Sequence, residues 1–93
     1  MIRNREFYIN SIKMDLFLVV TATGDVSKPP AVESAREFLD HAISDFDNFD
    51  NTQHDEVIRK DLIDLKDQMF LLDDVSLRLR WAERVLTSRC RLY

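Results

Sequence analysis

One glycine, two prolines and one cysteine are all that this chain of 93 residues has of the residue types that bend, stop or cross-link a backbone. Cys90 has no intrachain partner for a disulfide. With only His41 and His54 beside it, it cannot complete a zinc finger or ribbon, so a reducing, cytoplasmic setting is expected. No apolar run approaches the roughly 20 residues that cross a bilayer. The longest, Leu16 to Val20, is followed by Thr21 and Thr23 and sits too late for a secretory signal, so no membrane association is expected. There is no Gly-rich phosphate loop and no nucleophile–base motif, and therefore no catalytic residue and no cofactor is expected. Nor does the chain carry the motif of a known family.

What is present is apolar content, at 45% of the residues, and charge. A chain of this length forms one domain, residues 1–93, whose core hides only about 60–65% of the surface exposed by the unfolded chain. Pairing with a second copy is accordingly expected. The net charge of −4 is unevenly spread. Residues 31–56 hold one basic and eight acidic side chains, whereas residues 75–93 hold five basic and one acidic. Such stretches either neutralise each other across an antiparallel contact or face different partners.

Gly24, Pro29 and Pro30 mark a linker over residues 24–30 that divides an apolar segment, 1–23, from a helical region, 31–93. In the second region Val32, Ala35, Leu39, Ala42, Phe46 and Phe49 recur at intervals of three and four, one face of a helix. Ser27 is a candidate cap, with both prolines in the first turn. The polar cluster Asp47, Asn48, Asp50, Asn51 and Thr52 predicts a turn, and Thr52 followed by Asp55 and Glu56 predicts a capping box that starts a helix near Gln53. The stripe resumes through Ile58, Leu62, Leu65, Met69 and Leu72, and then through Val75, Leu79, Ala82, Leu86 and Cys90 after one shortened interval. That interval permits a break at Asp73-Asp74, but the absence of helix breakers favours one continuous helix over about 53–90. The first 23 residues are ambiguous. Ile12, Met14, Leu16, Leu18 and Val20 alternate as a strand does, Tyr8, Ile12, Leu16 and Val19 fit a helix face, and the β-branched, aromatic run from Phe17 to Thr21 favours the strand. A helical N-terminus together with a break at Asp73 would instead give four similar segments and an up-down bundle.

Several groupings invite chemistry. Asp45, Asp47, Asn51, Gln53 and Glu56 fall at calcium-loop positions, but Phe49 and Asp50 occupy the places of an oxygen ligand and of the turn glycine. His41 and His54, with Asp45 or Asp55, converge on a metal only by folding across the turn, and no metal site is expected. The basic C-terminal stretch offers Arg80, Trp81, Arg84 and Arg91 as partner-binding residues, since arginine and tryptophan on one helix bind phosphates, rings or acidic surfaces. Trp81 also neighbours Leu77 and Val85 on a second apolar face, which is what a core residue looks like.

The fold expected is mainly α: a helical hairpin or bundle with a long C-terminal helix, preceded by a short strand, hairpin or helix. The function expected is a non-catalytic protein–protein interaction or regulatory module, a homodimer that also meets an unidentified protein. Its two-fold interface would run through Leu72, Val75, Leu79 and Leu86. The alternative is a nucleic-acid-binding regulator using the basic C-terminal helix.

Overall fold

Asn4 accepts a hydrogen bond from the amide of Phe7 at 3.0 Å and so starts a helix, not a strand, at the head of the chain. This first helix, α1, spans Arg5–Thr23 over 19 residues. The computed structural model describes residues 4–92, so the first three residues of the expected N-terminal segment lie outside it. The strand expectation fails because α1 buries Ile9, Ile12, Leu16 and Val19 along one side, each contributing roughly 1.5–3 kcal/mol. A lone strand would have left its backbone groups unpaired. No strand occurs among the described residues.

α1 ends at Gly24, whose amide bonds to the carbonyl of Val20 at 2.7 Å. A Cβ at Gly24 would stand 2.8 Å from that carbonyl oxygen, so this close approach requires glycine. The linker closes with a bond from the Ala31 amide to the Ala22 carbonyl, 2.9 Å, and α2 begins only at Val32 and runs Val32–Asp45. Ser27 does not cap it. Its amide and hydroxyl turn back to the Asp25 carboxylate, and both prolines lie before the helix, fixing the linker.

A short 3-10 turn, Phe46–Asn48, leads to α3, Gln53–Asp67. The capping box forms as expected: the Thr52 hydroxyl accepts from the Asp55 amide at 3.1 Å and the Thr52 amide donates to Asp55 Oδ2 at 2.8 Å. The continuous 53–90 helix does not form. A second 3-10 segment, Met69–Asp73, intervenes, and the Asp74 carboxylate accepts from the Leu77 amide at 3.0 Å to start α4, Val75–Arg91.

The four helices pack in up-down order, each against its chain neighbours, and α1 closes against α4. Cross-helix pairs fix the directions: Arg59 with Asp47 and Lys66 with Asp40 set α3 against the preceding acidic stretch, and Gln68 with Arg84 and Asp61 with Arg91 set α4 against α3. The acidic stretch is thus met mainly by cations of α1 and α3 rather than by α4, because Arg5 takes Asp55. The core gathers Ile9, Ile12, Leu16 and Val19 with Leu39, Phe46, Ile58, Leu62, Leu65, Leu72, Trp81 and Val85.

Candidate functional site

The 3-10 segment resets the phase of the last helix, and this decides which side chains are left outside. With about three residues per turn it does not carry the stripe of α3 into α4. In α4 the face turned inward is Trp81, Val85, Ser88 and Arg78. The stripe expected to continue from Leu72 therefore emerges on the surface at Val75, Leu79 and Leu86, with only Ala82 buried.

Of the expected dimer-interface residues, Val75, Leu79 and Leu86 are exposed on one strip of α4, and Leu72 is not among them. It is 1% exposed inside the core, because the 3-10 segment turns it inward. Trp81 is likewise a core residue, its indole N–H donating to the Leu65 carbonyl at 2.8 Å, and so it is no surface anchor. Arg80 is exposed. Arg84 donates to the Gln68 side chain at 2.7 Å, and Arg91 stands 3.4 Å from the Asp61 carboxylate. Arg84 and Arg91 line a shared cavity of about 200 Å³ with Asp61 and Leu65. The four residues do not form one surface.

The strip of α4 borders α1. Arg89 Nε donates to the Lys13 carbonyl at 3.1 Å, and Arg78 acts with Lys28 on Asp25, whose carboxyl is held below the ordinary range first by the hydrogen bonds from Ser27. Position 13 thus meets 89 and position 25 lies near 78, an antiparallel register. Asn10, Lys13, Met14 and Phe17 of α1 line a groove of about 430 Å³ with Arg89. Met14 and Phe17 are exposed, as are Leu79 and Leu86 of the α4 stripe that runs beside Arg89. The apolar residues of α1 are spread around the helix rather than confined to one side, which is why a second face remains after its core face is buried.

On the opposite seam, between α1 and α2, three titratable groups converge. His41 Nδ1 lies 2.5 Å from Asp15 Oδ2 and 3.7 Å from Asp45 Oδ2, and Ser11 donates its hydroxyl to Asp45 Oδ2 at 2.8 Å. Both aspartates are buried and the imidazole is exposed. Burial pushes the Asp15 carboxyl above the usual carboxylate range against the pull of His41, and the hydrogen bond to Asp15 raises His41. Because Ser11 bonds to a carboxylate that itself faces the imidazole, the order serine, histidine, aspartate of a nucleophilic relay is not laid out.

His54 is not brought to this cluster. Its Nε2 donates to the Arg91 carbonyl at 2.8 Å, while Asp55 is engaged by Arg5 and Thr52. The calcium-loop positions also part company, Asp45 turning to Ser11 and His41, Asp47 to Arg59, and the Asn51 amide to the Phe46 carbonyl. Sequence reasoning placed His41 and Asp45 in a candidate cluster and missed Asp15 and Ser11. The signal available for Asp15 was an acidic residue set between Ile12 and Leu16 on the stripe that α1 buries. No helix among the described residues is long and apolar enough to cross a membrane. Comparison with protein-family models, with curated proteins and with solved structures finds no match, so no role is carried onto these residues from a relative.

Proposed function

We propose that the chain is a non-catalytic interaction or regulatory module that works as a homodimer, pairing through the strips of α1 and α4 that flank their common seam. One observation carries the reading: on these adjacent strips Met14 is 59% exposed, Phe17 52%, Val75 52%, Leu79 41% and Leu86 44%. Together they leave on the order of 400 Å² of apolar side chain in water, at the level of the largest patch of an ordinary monomer. A stable pairing hides about 800 Å² on each partner, somewhat over half of it apolar, so the strip supplies the apolar part of such an interface. A second copy is the fitting occupant because Leu79 and Leu86 stand seven residues apart on either side of the small Ala82. A two-fold axis beside Ala82 brings each leucine onto the other and Val75 onto Cys90. The exposed, unpaired Cys90 suits a reducing compartment.

Nucleic-acid recognition by the basic helix has less behind it, since Trp81 is buried and Arg84 and Arg91 are turned to partners in α3 or at its end. The test of the dimer is light scattering coupled to size exclusion over about a hundredfold range of concentration. The expected mass is twice 11.0 kDa, falling towards the monomer on dilution. A mass of 11.0 kDa throughout would overturn the reading.

A further inference from the structure

We propose that Asp15, His41 and Asp45 bind a first-row divalent transition-metal ion of the Zn²⁺ class across the seam between α1 and α2. His41 and Asp45 are four residues apart on α2 and so project from one face, and Asp15 reaches them from the antiparallel α1. One donor atom from each of the three lies within 4.8 Å of the others. A tetrahedral zinc ion with bonds of about 2.0–2.1 Å to nitrogen and oxygen sets its ligand atoms roughly 3.3 Å apart. The 3.7 Å between His41 Nδ1 and Asp45 Oδ2 is close to that already, and the 2.5 Å between His41 and Asp15 opens by a small swing of the imidazole. That side chain is 61% exposed and free to swing outwards, while the two carboxylates are held by their burial.

Charge points the same way. Two buried carboxylates face a single imidazole, and a doubly charged ion bound by a neutral imidazole balances them fully, where one histidine proton balances only one. Ser11, bonded to Asp45, orients that carboxylate as the outer-shell partners of metal ligands do. The donor set also selects the ion. Imidazole with two carboxylates suits Zn²⁺ or Co²⁺, whereas Ca²⁺ takes six to eight oxygens and Mg²⁺ keeps most of its water. Exposure of His41 leaves the remaining coordination position to solvent. The site stands on the α1/α2 seam and does not depend on the pairing face along α1 and α4.

The test is calorimetric titration of ZnCl₂ into the chelator-treated full chain. A parallel series follows the imidazole nitrogen resonances of His41 and His54. One ion per chain is expected, with the His41 resonances moving and those of His54 unmoved. His41→Ala changes an exposed side chain and should keep the far-ultraviolet circular dichroism of the parent while weakening Zn²⁺ binding at least about tenfold. Cys90→Ser should bind as the parent does, and an excess of Mg²⁺ or Ca²⁺ should not displace Zn²⁺. If Zn²⁺ shows no saturable binding, or binds undiminished in His41→Ala, or moves His54 instead, the cluster is only an ion-paired clasp between two helices and the proposal falls.

Discussion

Arg5, the first residue of α1, holds both carboxylate oxygens of Asp55, and Asp55 is also the residue that closes the capping box of α3. One buried carboxylate therefore ties the start of the first helix to the start of the third, and Arg5 lies over the Phe49 ring at 5.4 Å besides. The Arg5 hydrogen bond holds the Asp55 carboxyl below the usual carboxylate range, and the Thr52 amide adds to this. A depressed folded pKa stabilises above the unfolded value of about 3.9, and that stabilisation is lost as pH falls through the folded value. Arg5→Met should cost about 1–2 kcal/mol at pH 7, allowing for the partial exposure of Arg5. Urea unfolding at a series of pH values should show the gap between parent and variant narrowing below about pH 4. A gap that stays constant into strong acid would show that Asp55 is not the group being stabilised.

Trp81 bridges α4 to α3 by packing and by its hydrogen bond to the Leu65 carbonyl, so its place is energetic rather than recognitive. Trp81→Phe removes the indole N–H and leaves a void, and is expected to cost roughly 1–3 kcal/mol in denaturant unfolding. Arg80→Glu combined with Arg84→Glu should change the unfolding free energy by no more than about 1 kcal/mol, since both side chains are exposed. A Trp81→Phe variant as stable as the parent would contradict this place in the core.

How far the sequence reveals this fold varies from helix to helix. In α2, α3 and the 3-10 turns after them apolar spacing, turn residues and the Thr52–Asp55 box agree: Ala35, Leu39, Ala42, Phe46, Ile58, Leu62, Leu65, Met69 and Leu72 are buried as the stripes predict, and Val32 and Phe49 at the ends of the first stripe are half-buried. In α1 local composition opposes tertiary structure. Its β-branched residues favour a strand, but the helix pairs its own backbone and still buries Ile12, Leu16 and Val19. The last helix misleads most, because Met69–Asp73 contains neither glycine nor proline and its 3-10 winding leaves no mark except the shortened interval at 72–75 and the aspartates Asp73-Asp74, the second of which caps α4. Asp15 escaped notice for another reason: its partners His41 and Asp45 are distant in sequence and meet it only when α1 and α2 lie antiparallel.

The phase of α4 yields the sharpest test, because Leu79 of the continued stripe lies outside the core of the single chain, whereas Val85, on the second apolar face beside Trp81, lies inside it as that face implies. A continuous stripe makes Leu79 the more deeply buried of the two, whereas the structure leaves Leu79 41% exposed and Val85 fully buried. An aspartate at each position reads the difference. Val85→Asp places an unpaired charge among Trp81, Leu65 and their neighbours and should unfold the chain or destabilise it by more than about 3 kcal/mol. Leu79→Asp meets water in the single chain and should keep the helical circular dichroism of the parent, with a shift of no more than about 1 kcal/mol measured at a dilution where the parent is monomeric. On the proposed pairing, the same substitution at higher concentration would set two like charges in an apolar seam, so its mass should remain that of one chain at concentrations where the parent is expected to double. Unfolding by Leu79→Asp with tolerance of Val85→Asp would reverse the phase of α4, and with it the face proposed for pairing with a second copy.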